Sequence, residues 1–496
     1  MKKKVIIVGG GTSGVIIANR LQKYFDVTVI EKSKYKNYPF IYRIPSLIAY
    51  LFRAKKLKYV ISRELKILNN RSIPYWESNT YGGASVINGC VHVLGSTKLW
   101  KTFLAKFNVT YDDLLQSYKD IYAQNNNEKY KINLSSSYQN IIDTAFMDVL
   151  YSNNILSGDT NKADTQTCGP VLNTVNKFFR TSVLSVVSKK NFKLNLQEQV
   201  ERIIFDNNGK TIGVSTNLRK IESDYIILSA GVIGTCDILL REKKRKNIYL
   251  KHSAVGEDIQ DHTNLRINVL TNKKIGSFNE VSSSFALKAQ LLIKHFFGLP
   301  TLIKGTGATS AVHLDLDNDG TIDTRVQVVQ FNETGRHGSD GKFFSSSKPG
   351  FSFSITPINP KSRGTITING VKNVIDPNYL SDERDVEILK KALSFCLKLL
   401  KSKPLSDHVL KIEDLDVIEK DPKKYILDNI YSGAHLSGGT QNLIDNDFKV
   451  KNTNNLFICD ASIFDGYLAS NMHSSVVLMA DIFAKKFLEK NKIITN

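Results

Sequence analysis

The chain begins with an apolar strand that runs directly into a glycine-rich turn, and this feature constrains the fold more than any other. Residues 5–8 are followed by Gly9, Gly11 and Gly14 in the spacing G-x-G-x-x-G, and an apolar helix pattern comes next. The first glycine permits the tight turn, the second lets a pyrophosphate approach the backbone, and the third lets helix and strand pack closely. The phosphates then lie at the positive end of the helix. The sequence therefore predicts a dinucleotide-binding unit.

A second apolar strand, residues 27–30, ends in Glu31, which lies 17 residues after Gly14. A carboxylate near this position accepts hydrogen bonds from ribose hydroxyls and disfavours a 2′-phosphate, so NADP is the least favoured ligand. The dinucleotide contacts predicted in this unit are Gly9, Gly11, Thr12, Ser13, Gly14 and Glu31.

The chain has an excess of basic residues, with 67 Lys and Arg against 47 Asp and Glu, a net charge of +20. Such an excess is typical of proteins that bind nucleic acids or anionic membranes. The lysines are spread along the chain, however, and the sequence contains no zinc-ligand spacing, RNP-type aromatic motif or long basic arm. A broad compositional bias is the favoured explanation. Nucleic acid is not an expected partner, and membrane contact is not favoured.

The cysteines and the amino terminus indicate a cytoplasmic protein. The five cysteines are far apart and none belongs to a C-x-x-C pair, which fits a reduced compartment. The lysines at 2–4 and the apolar residues after them imitate a signal peptide, but glycines interrupt the apolar run, so export is not expected. No stretch reaches the ~18 to 20 apolar residues that span a bilayer.

Hydrophobic periodicity predicts a mixed α/β chain. Helices are expected within residues 101–150, with an Asn-rich break at 125–127, and over 382–402 and 474–488. Strands are expected over 192–196, 200–205, 211–216, 223–230 and 455–459, and residues 310–371 look rich in strands. Asn207–Gly209 predicts a hairpin turn. The apolar strand and helix at the carboxyl terminus suggest that the chain returns to its first domain.

Residues 285–303 are apolar with interspersed lysines. This pattern predicts either a lid helix over an apolar substrate or a core helix whose lysines reach solvent. Packing in a lid or in the core is favoured over membrane contact.

Seven short segments, spread along the chain, each resemble a motif of one protein family. They are GGASVINGCVHVLG at 82–95, IILSAGVIGT at 226–235, VGEDIQDH at 255–262, PKSRG at 360–364, HLSGGT at 435–440, NLFICDAS at 455–462 and NMHSS at 471–475. With the opening turn, and in this order, they resemble the glucose–methanol–choline (GMC) oxidoreductases, which are FAD-dependent alcohol oxidases and dehydrogenases. Two positions depart from the family pattern: Leu94 stands where the family has arginine, and Met472 where proline is usual.

The resemblance implies the fold and the cofactor. It implies a Rossmann-like FAD-binding domain, discontinuous over residues 1–100, 165–262 and 430–496, and an α+β substrate-binding domain with an antiparallel sheet over 101–164 and 263–429. FAD is expected to be bound non-covalently, because Ile87 occupies the position at which some members attach the flavin. No metal is expected. The further FAD contacts that the resemblance implies are Gly83, Ser85, Asn88, Val91, Val200, Asp460, Ala461 and Met472.

The resemblance also implies the catalytic residues, His435 and its partner Asn471. Alcohol oxidation removes a proton from oxygen and a hydride from carbon. An imidazole with a pKa near neutrality suits the proton, an amide can hold the hydroxyl, and the flavin N5 takes the hydride. His473 is a rival for the position beside the flavin. His262 is expected to be structural, and His92 does not match the position of covalent attachment.

The expected substrate is a small alcohol that yields an aldehyde or ketone, with oxygen or another acceptor reoxidising the flavin. The apolar stretches at 44–52 and 285–303 favour an apolar or lipid-like alcohol. Two other classes stay open. One is a different flavin enzyme, such as a monooxygenase or a disulfide reductase, although a second glycine fingerprint and a redox cysteine pair are missing. The other is a degenerate, non-catalytic flavoprotein, which the departures at Leu94 and Met472 permit.

Residues 315–323, DLDNDGTID, resemble the start of an EF-hand calcium loop. The twelfth position of that loop is Val326 instead of glutamate, and strand-like residues flank it. A hairpin turn is therefore the favoured interpretation.

Overall fold

The computed structural model describes residues 1–52, 58–67, 71–124, 128–246, 249–250, 254–332 and 348–493. The described strands are β1 Lys4–Val8, β2 Asp26–Glu31, β3 Val60–Lys66, β4 Ser72–Ser78, β5 Val91–His92, β6 Tyr122–Gln124, β7 Ile132–Ser136, β8 Thr167–Pro170, β9 Leu172–Asn173, β10 Lys193–Leu196, β11 Val200–Phe205, β12 Thr211–Thr216, β13 Lys220–Glu222, β14 Tyr225–Leu228, β15 Thr263–Thr271, β16 Ala308–Leu314, β17 Thr324–Val329, β18 Gly350–Pro357, β19 Thr365–Asn369, β20 Lys372–Asp376, β21 Val409–Ile412, β22 Tyr431–Ser432 and β23 Leu456–Ile458. The described helices are α1 Thr12–Leu21, α2 Thr97–Ala105, α3 Tyr111–Ile121, α4 Ile141–Ser152, α5 Gly231–Lys244, α6 Phe278–Ser283, α7 Phe285–Phe296, α8 Glu383–Leu400, α9 Leu415–Lys420, α10 Pro422–Asn429 and α11 Met472–Lys490.

A parallel sheet in the order β10-β2-β1-β14-β23 forms the centre of the dinucleotide-binding unit. Its central strands are apolar on both faces, as expected for a sheet covered by helices on both sides. Strand β1 is followed by α1, which packs against α11 at the other end of the chain. The predicted return of the carboxyl terminus is therefore confirmed, since β23 pairs with β14 in this sheet.

A larger, antiparallel sheet has the order β21-β15-β18-β17-β16-β8, and β22 also pairs with β15. This sheet and the parallel sheet confirm the predicted fold class. Smaller sheets connect the two parts: β3 and β4 pair with each other, and β3 also pairs with β20. The pairings of β3 with β20 and of β8 with β16 cross the predicted domain boundaries, which remain predictions.

Most of the predicted elements are confirmed. Helices α2, α3, α4, α8 and α11 lie where periodicity predicts them, and β11 and β12 form the predicted hairpin. Strands β6 and β7, inside the region predicted as helical, were not predicted. The expected break at 125–127 lies outside the described residues. Residues 315–323 connect β16 to β17 as a hairpin loop, in which carboxylate oxygens of Asp315, Asp317 and Asp323 lie within 4.8 Å of one another.

Helix α7 differs from the prediction. All of it is described, and His295 is the one buried residue in it. Phe285, Ile293, Phe296 and Phe297 are exposed to solvent. The core alternative is wrong for this segment, because most of its apolar side chains are exposed, although Leu291 packs against a buried cluster. The lid alternative stays a prediction. Within the described chain, no helix is both long and apolar enough to cross a bilayer.

Candidate active site

A cavity of about 590 Å³ lies between the carboxyl edge of the parallel sheet and one face of the antiparallel sheet. The carboxyl edge contributes Gly9 after β1, Glu31 at the end of β2, Ser229 after β14 and Asp460 after β23. Ligands of open α/β sheets bind at this edge. The opposite wall comes from β15, β17 and β18.

The glycine turn is shaped so that side chains are excluded. Gly9 has a φ of 103°, and a Cβ atom on it would lie 2.4 Å from Ser229 O. A Cβ atom on Gly14 would lie 2.0 Å from Gly9 O. Gly83, on the next loop, has a φ of 58°, and its Cβ atom would lie 2.7 Å from Gly11 Cα. Backbone therefore packs directly on backbone here, which leaves a polar groove for a phosphate chain.

Glu31 is held rigidly at the cavity. Its Oε2 accepts a hydrogen bond from Gly10 N at 2.8 Å and its Oε1 accepts one from Ser33 N at 2.8 Å. The side chain is buried and lines the cavity. A carboxylate fixed in this way keeps lone pairs for ribose hydroxyls, as the sequence predicts.

Three helices begin at the cavity, at Thr12 of α1, Gly231 of α5 and Met472 of α11. None of the three has an acidic residue in its first turn. Their N-terminal N–H groups and dipoles favour negative charge in the cavity. Asp460 fixes α5 in place, since its Oδ2 accepts from Gly231 N at 3.0 Å and from the Thr235 hydroxyl at 2.6 Å.

Most of the predicted cofactor residues line this one cavity. They are Gly9, Gly11, Thr12, Ser13, Glu31, Gly83, Asn88, Val91, Asp460, Ala461 and Met472. Three others lie outside its lining: Gly14 packs against Gly9 O, the Ser85 hydroxyl donates to Gly82 O at 2.7 Å, and Val200 is buried in β11.

The two predicted catalytic residues are in contact. Asn471 Nδ2 lies 3.0 Å from His435 Nε2, and both residues line the cavity. Arg325 Nη1 donates to Asn471 Oδ1 at 2.9 Å. Because a guanidinium has only donors, this bond turns the amide oxygen toward Arg325 and the NH₂ group toward His435. His473 also lines the cavity, but the hydrogen bond to His435 is made by Asn471.

A chain of hydrogen bonds determines the tautomer of His435. Ile358 O lies 3.3 Å from His262 Nε2, and a carbonyl can only accept, so the proton of His262 is on Nε2. His262 Nδ1 then accepts from His435 Nδ1, 2.9 Å away. His435 Nε2 is left without a proton and faces Asn471. A lone pair on Nε2 is what a general base requires.

The environment of His435 lowers its basicity. Burial and the charge of Arg325 lower the pKa of His435 to about 4. The expectation of a pKa near neutrality is wrong for this environment, because a buried imidazolium beside a guanidinium is disfavoured. The imidazole is therefore neutral at pH 7 and ready to accept a proton.

Asp261 anchors the backbone of the base. Its Oδ1 accepts from His435 N at 2.8 Å, and its Oδ2 accepts from the Tyr379 hydroxyl at 2.5 Å and from the Ser432 hydroxyl. The carboxylate is 4% exposed. These contacts hold the loop that carries His435 against the start of β15.

Asp261→Ala is expected to destabilise the protein by about 3 kcal/mol, because three donors lose their acceptor, the buried Tyr379 hydroxyl among them. Urea unfolding monitored by circular dichroism measures this change. Asp148→Ala, on the exposed side of α4, is the matched control and should change the free energy of unfolding by less than about 0.5 kcal/mol. Equal stabilities for the two variants would show that Asp261 does not anchor the loop.

Two residues of the site were not singled out correctly from the sequence. His262 was expected to be structural, yet it lines the cavity and bonds to His435. Arg325 was not considered at all, although it is buried and contacts Asn471. The arginine within the apolar residues of β17 could have indicated a functional position, because arginine is seldom fully buried unless it is paired.

The fold and the site together define an oxidoreductase of the dinucleotide-binding type, with an imidazole–amide pair in the same cavity as the glycine turn. Two sequence profiles described as GMC oxidoreductase match residues 3–264 and 360–480. The chain belongs to the GMC oxidoreductase family, whose members are FAD-binding oxidoreductases acting on CH–OH groups.

Relatives of known name match over nearly the whole chain. "Alcohol dehydrogenase [acceptor]" of Pseudomonas putida is 23% identical, with 98% of this chain and 95% of that protein covered. "Oxygen-dependent choline dehydrogenase" of Photobacterium profundum is 22% identical, with 97% and 92% covered. Pyridoxine 4-oxidase from Mesorbium loti has a similar structure, with a TM-score of 0.81, 16% identity, and 98% and 99% covered. This structural similarity shows the fold alone.

The residues present fit FAD. A Cβ atom on Gly11 would have only Gly83 Cα within 4 Å, at 3.9 Å, so this cavity-lining glycine leaves open space beside the backbone. Glu31 is positioned as a ribose acceptor. The same cavity extends to His435 and Asn471, so one elongated ligand can reach both regions.

Proposed function

We propose that this protein oxidises a primary or secondary alcohol to an aldehyde or ketone with FAD as cofactor. The observation that carries the proposal is the geometry of His435: its unprotonated Nε2 faces the Asn471 amide, inside the cavity that the glycine turn closes. Both ring nitrogens of His435 are hydrogen-bonded, Nδ1 to His262 and Nε2 to Asn471, and the bond to Asn471 joins two residues that line the cavity.

The residues of the chain take the following roles. The Asn471 NH₂ group, whose nitrogen lies 3.0 Å from His435 Nε2, donates a second N–H to the oxygen of the substrate hydroxyl and holds it in place. His435 Nε2 accepts the hydroxyl proton while the carbinol carbon loses a hydride. Bound FAD supplies the hydride acceptor at N5, and oxygen or another acceptor restores its oxidised form.

We further propose that FAD is bound without a covalent link. Ile87 lines the cavity at the position where some family members attach the flavin, and its side chain carries no nucleophile. Acid precipitation of the purified protein should therefore leave all of the yellow flavin in the supernatant. Flavin that stays with the precipitate would contradict this proposal.

The function is tested by anaerobic titration of the purified protein with a panel of primary and secondary alcohols. Bleaching of the flavin absorbance by at least one alcohol is the expected result, and peroxide release on readmission of air identifies oxygen as the acceptor. A protein that binds FAD but is reduced by no alcohol, while it is reduced by NADPH, would instead indicate another class of flavin enzyme.

The pH profile gives a further prediction. Since burial and, after it, a nearby cation disfavour the imidazolium, the rate of flavin reduction by a neutral alcohol should fall only as the pH drops toward about 4. Arg325→Gln removes that cation and should move this acidic limb to higher pH. Stopped-flow measurement of flavin reduction between pH 4 and 8 gives the position of this limb. Arg384→Gln is the control, because Arg384 pairs with Asp317 outside the cavity. An unmoved limb would show that His435 is not the titrating base.

A further inference from the structure

One face of the antiparallel sheet forms a polar wall of the cavity. Alternation along β17 places Arg325, Gln327 and Val329 on this face, and all three line the cavity. Across the sheet, Thr356 on β18 is the register partner of Arg325, and Ser354 is that of Gln327.

The same rows continue onto the next strand. Arg266 on β15 is the register partner of Ser354, and Asn264 lies two residues before Arg266, on the same face of the strand. Both line the cavity. The wall near the imidazole–amide pair is thus built from amides, hydroxyls and two guanidinium groups.

Arg325 is the charge in this wall closest to the reacting atoms. It is 3% exposed, and its Nη1 is bonded to Asn471 Oδ1. Its Nε and Nη2 have no hydrogen-bond partner within the part of the chain that the structure describes. Burial lowers the pKa of Arg325 to about 9, so the side chain is still charged at neutral pH.

The acidic residues that line the cavity are already engaged elsewhere. Glu31 accepts from Gly10 N, Glu77 pairs with Arg63, and Asp460 accepts from Gly231 N. Among the described residues, Arg325 has no carboxylate within ion-pair distance. A buried guanidinium without a counterion is strongly unfavourable unless a ligand supplies one.

From this geometry we infer that the substrate carries a carboxylate, which Arg325 binds through its unpartnered N–H groups. A planar guanidinium matches a carboxylate with two parallel hydrogen bonds. One amide group and two hydrogen bonds separate Arg325 from His435 Nε2, so the carboxylate lies close to the carbinol carbon. The substrate class is therefore a 2- or 3-hydroxy acid that is oxidised to the corresponding oxo acid. This inference rests on the proposed function for the position of the hydroxyl.

Calorimetric titration of the FAD-loaded protein with benzoate and benzamide, and with acetate and acetamide, tests the anion site without any turnover. Each carboxylate should bind about 10- to 100-fold more tightly than its neutral amide. Arg325→Gln should abolish this preference, Arg325→Lys should retain part of it, and Arg384→Gln should leave it unchanged. Equal binding of acid and amide to the wild-type protein would overturn the inference, as would a preference that survives in Arg325→Gln.

A parallel measurement separates this inference from the proposed function. Anaerobic reduction of the flavin is compared for mandelate, mandelamide and benzyl alcohol. Reduction by the neutral compounds with no advantage for mandelate supports alcohol oxidation and overturns the carboxylate site. Carboxylate binding that depends on Arg325, with no reduction by any of the three compounds or by lactate, supports the site and counts against the proposed function.

A second inference comes from a different feature, the exposed apolar surface formed by α7 and the residues that follow it, 285–299. Phe285 is 86% exposed and Phe297 79% exposed, and Ile293, Phe296 and Leu299 are exposed with them. An apolar surface of this size on a soluble protein marks a contact with a protein or a membrane.

The charged side chains of the segment that forms this surface are all lysines. No acidic residue occurs between Glu280 and Asp315, whereas Lys288, Lys294 and Lys304 lie in that stretch. Phe278 precedes the surface, Thr306 follows it, and both line the cavity. The segment that forms the surface is thus flanked in the sequence by residues of the cavity wall.

We propose that this surface docks on an anionic lipid membrane. Apolar side chains with lysines beside them are the composition of helices that lie in the membrane interface, and the net charge of +20 adds long-range attraction. The aromatic and aliphatic side chains enter the acyl boundary while the lysines contact the headgroups.

Sedimentation with vesicles tests the docking. The wild-type protein should bind to vesicles that contain phosphatidylcholine and phosphatidylglycerol. It should bind much less to vesicles of phosphatidylcholine alone. Combined Phe285→Ser, Phe296→Ser and Phe297→Ser should reduce the bound fraction at least about tenfold. The control, Leu218→Ser, Val371→Ser and Leu410→Ser, removes equally exposed apolar side chains elsewhere and should bind normally. Unchanged binding by the phenylalanine variant would overturn the proposal. So would a dimer in analytical ultracentrifugation that this variant abolishes, because a second copy would then cover the surface.

Discussion

Replacement of His435 by alanine is expected to slow reduction of the flavin by alcohols by about 10²- to 10⁴-fold. The variant removes the Nε2 lone pair beside Asn471, so the hydroxyl proton loses the acceptor next to the amide that holds the hydroxyl. Binding of FAD should be retained, because the glycine turn and Glu31 do not contact this side chain in the structure. Anaerobic stopped-flow absorbance measures the rate directly.

His473→Ala is the matched control for this experiment. His473 lines the same cavity and is half-buried, and desolvation lowers its pKa to about 4. Among the hydrogen bonds of the described residues, the one to His435 comes from Asn471. It should affect the rate less than His435→Ala does. Full-rate reduction of the flavin in His435→Ala, or a larger loss of rate in His473→Ala, would show that His435 is not the base.

Gly14→Ala is expected to abolish FAD binding. The new Cβ atom would lie 2.0 Å from Gly9 O, and the obstacle is backbone, which cannot rotate aside. The turn must open, and overpacking of this kind costs about 1 to 3 kcal/mol. The ratio of flavin to protein in the purified sample, read from the absorbance spectrum, should fall close to zero.

Gly466→Ala provides the comparison for Gly14→Ala. A Cβ atom on Gly466 would meet no atom within 4 Å, and the same methyl group is added. This variant should bind FAD as the wild-type protein does. If the Gly14→Ala protein bound FAD as fully as the wild-type protein does, the glycine turn would not be required for FAD binding.

The features that the sequence predicted are those with local or strongly patterned signals. The glycine turn, the strand that ends in Glu31 and the terminal helix are each visible in a short window of residues. His435 and Asn471 lie 36 residues apart, and no property of either residue alone shows that they touch. Their pairing followed from the family resemblance, and the structure brings them within 3.0 Å.

The residues that sequence reasoning missed depend on long-range pairing. Arg325 reaches Asn471 only because β17 lies in the wall of the cavity, and the register of an antiparallel sheet cannot be read from one strand. His262 reaches His435 because β22 pairs with the start of β15. The pKa of His435 likewise depends on a neighbour that is distant in the sequence.

Helix α7 shows the opposite failure. Its apolar pattern was visible, but periodicity does not tell which side of the protein an apolar helix faces. The lysines in this segment, with no acidic residue between Glu280 and Asp315, were the better indication of an exposed helix, because a helix buried in the core does not require charged residues of one sign.

The account is tested most directly by a crystal structure of the protein with FAD bound. The pyrophosphate is expected beside Gly11 and Gly83, and the flavin ring should lie within about 4 Å of His435 Nε2 and Asn471, the separation of atoms in contact. A flavin ring that lies away from His435 and Asn471, with other side chains at its reactive face, would contradict it.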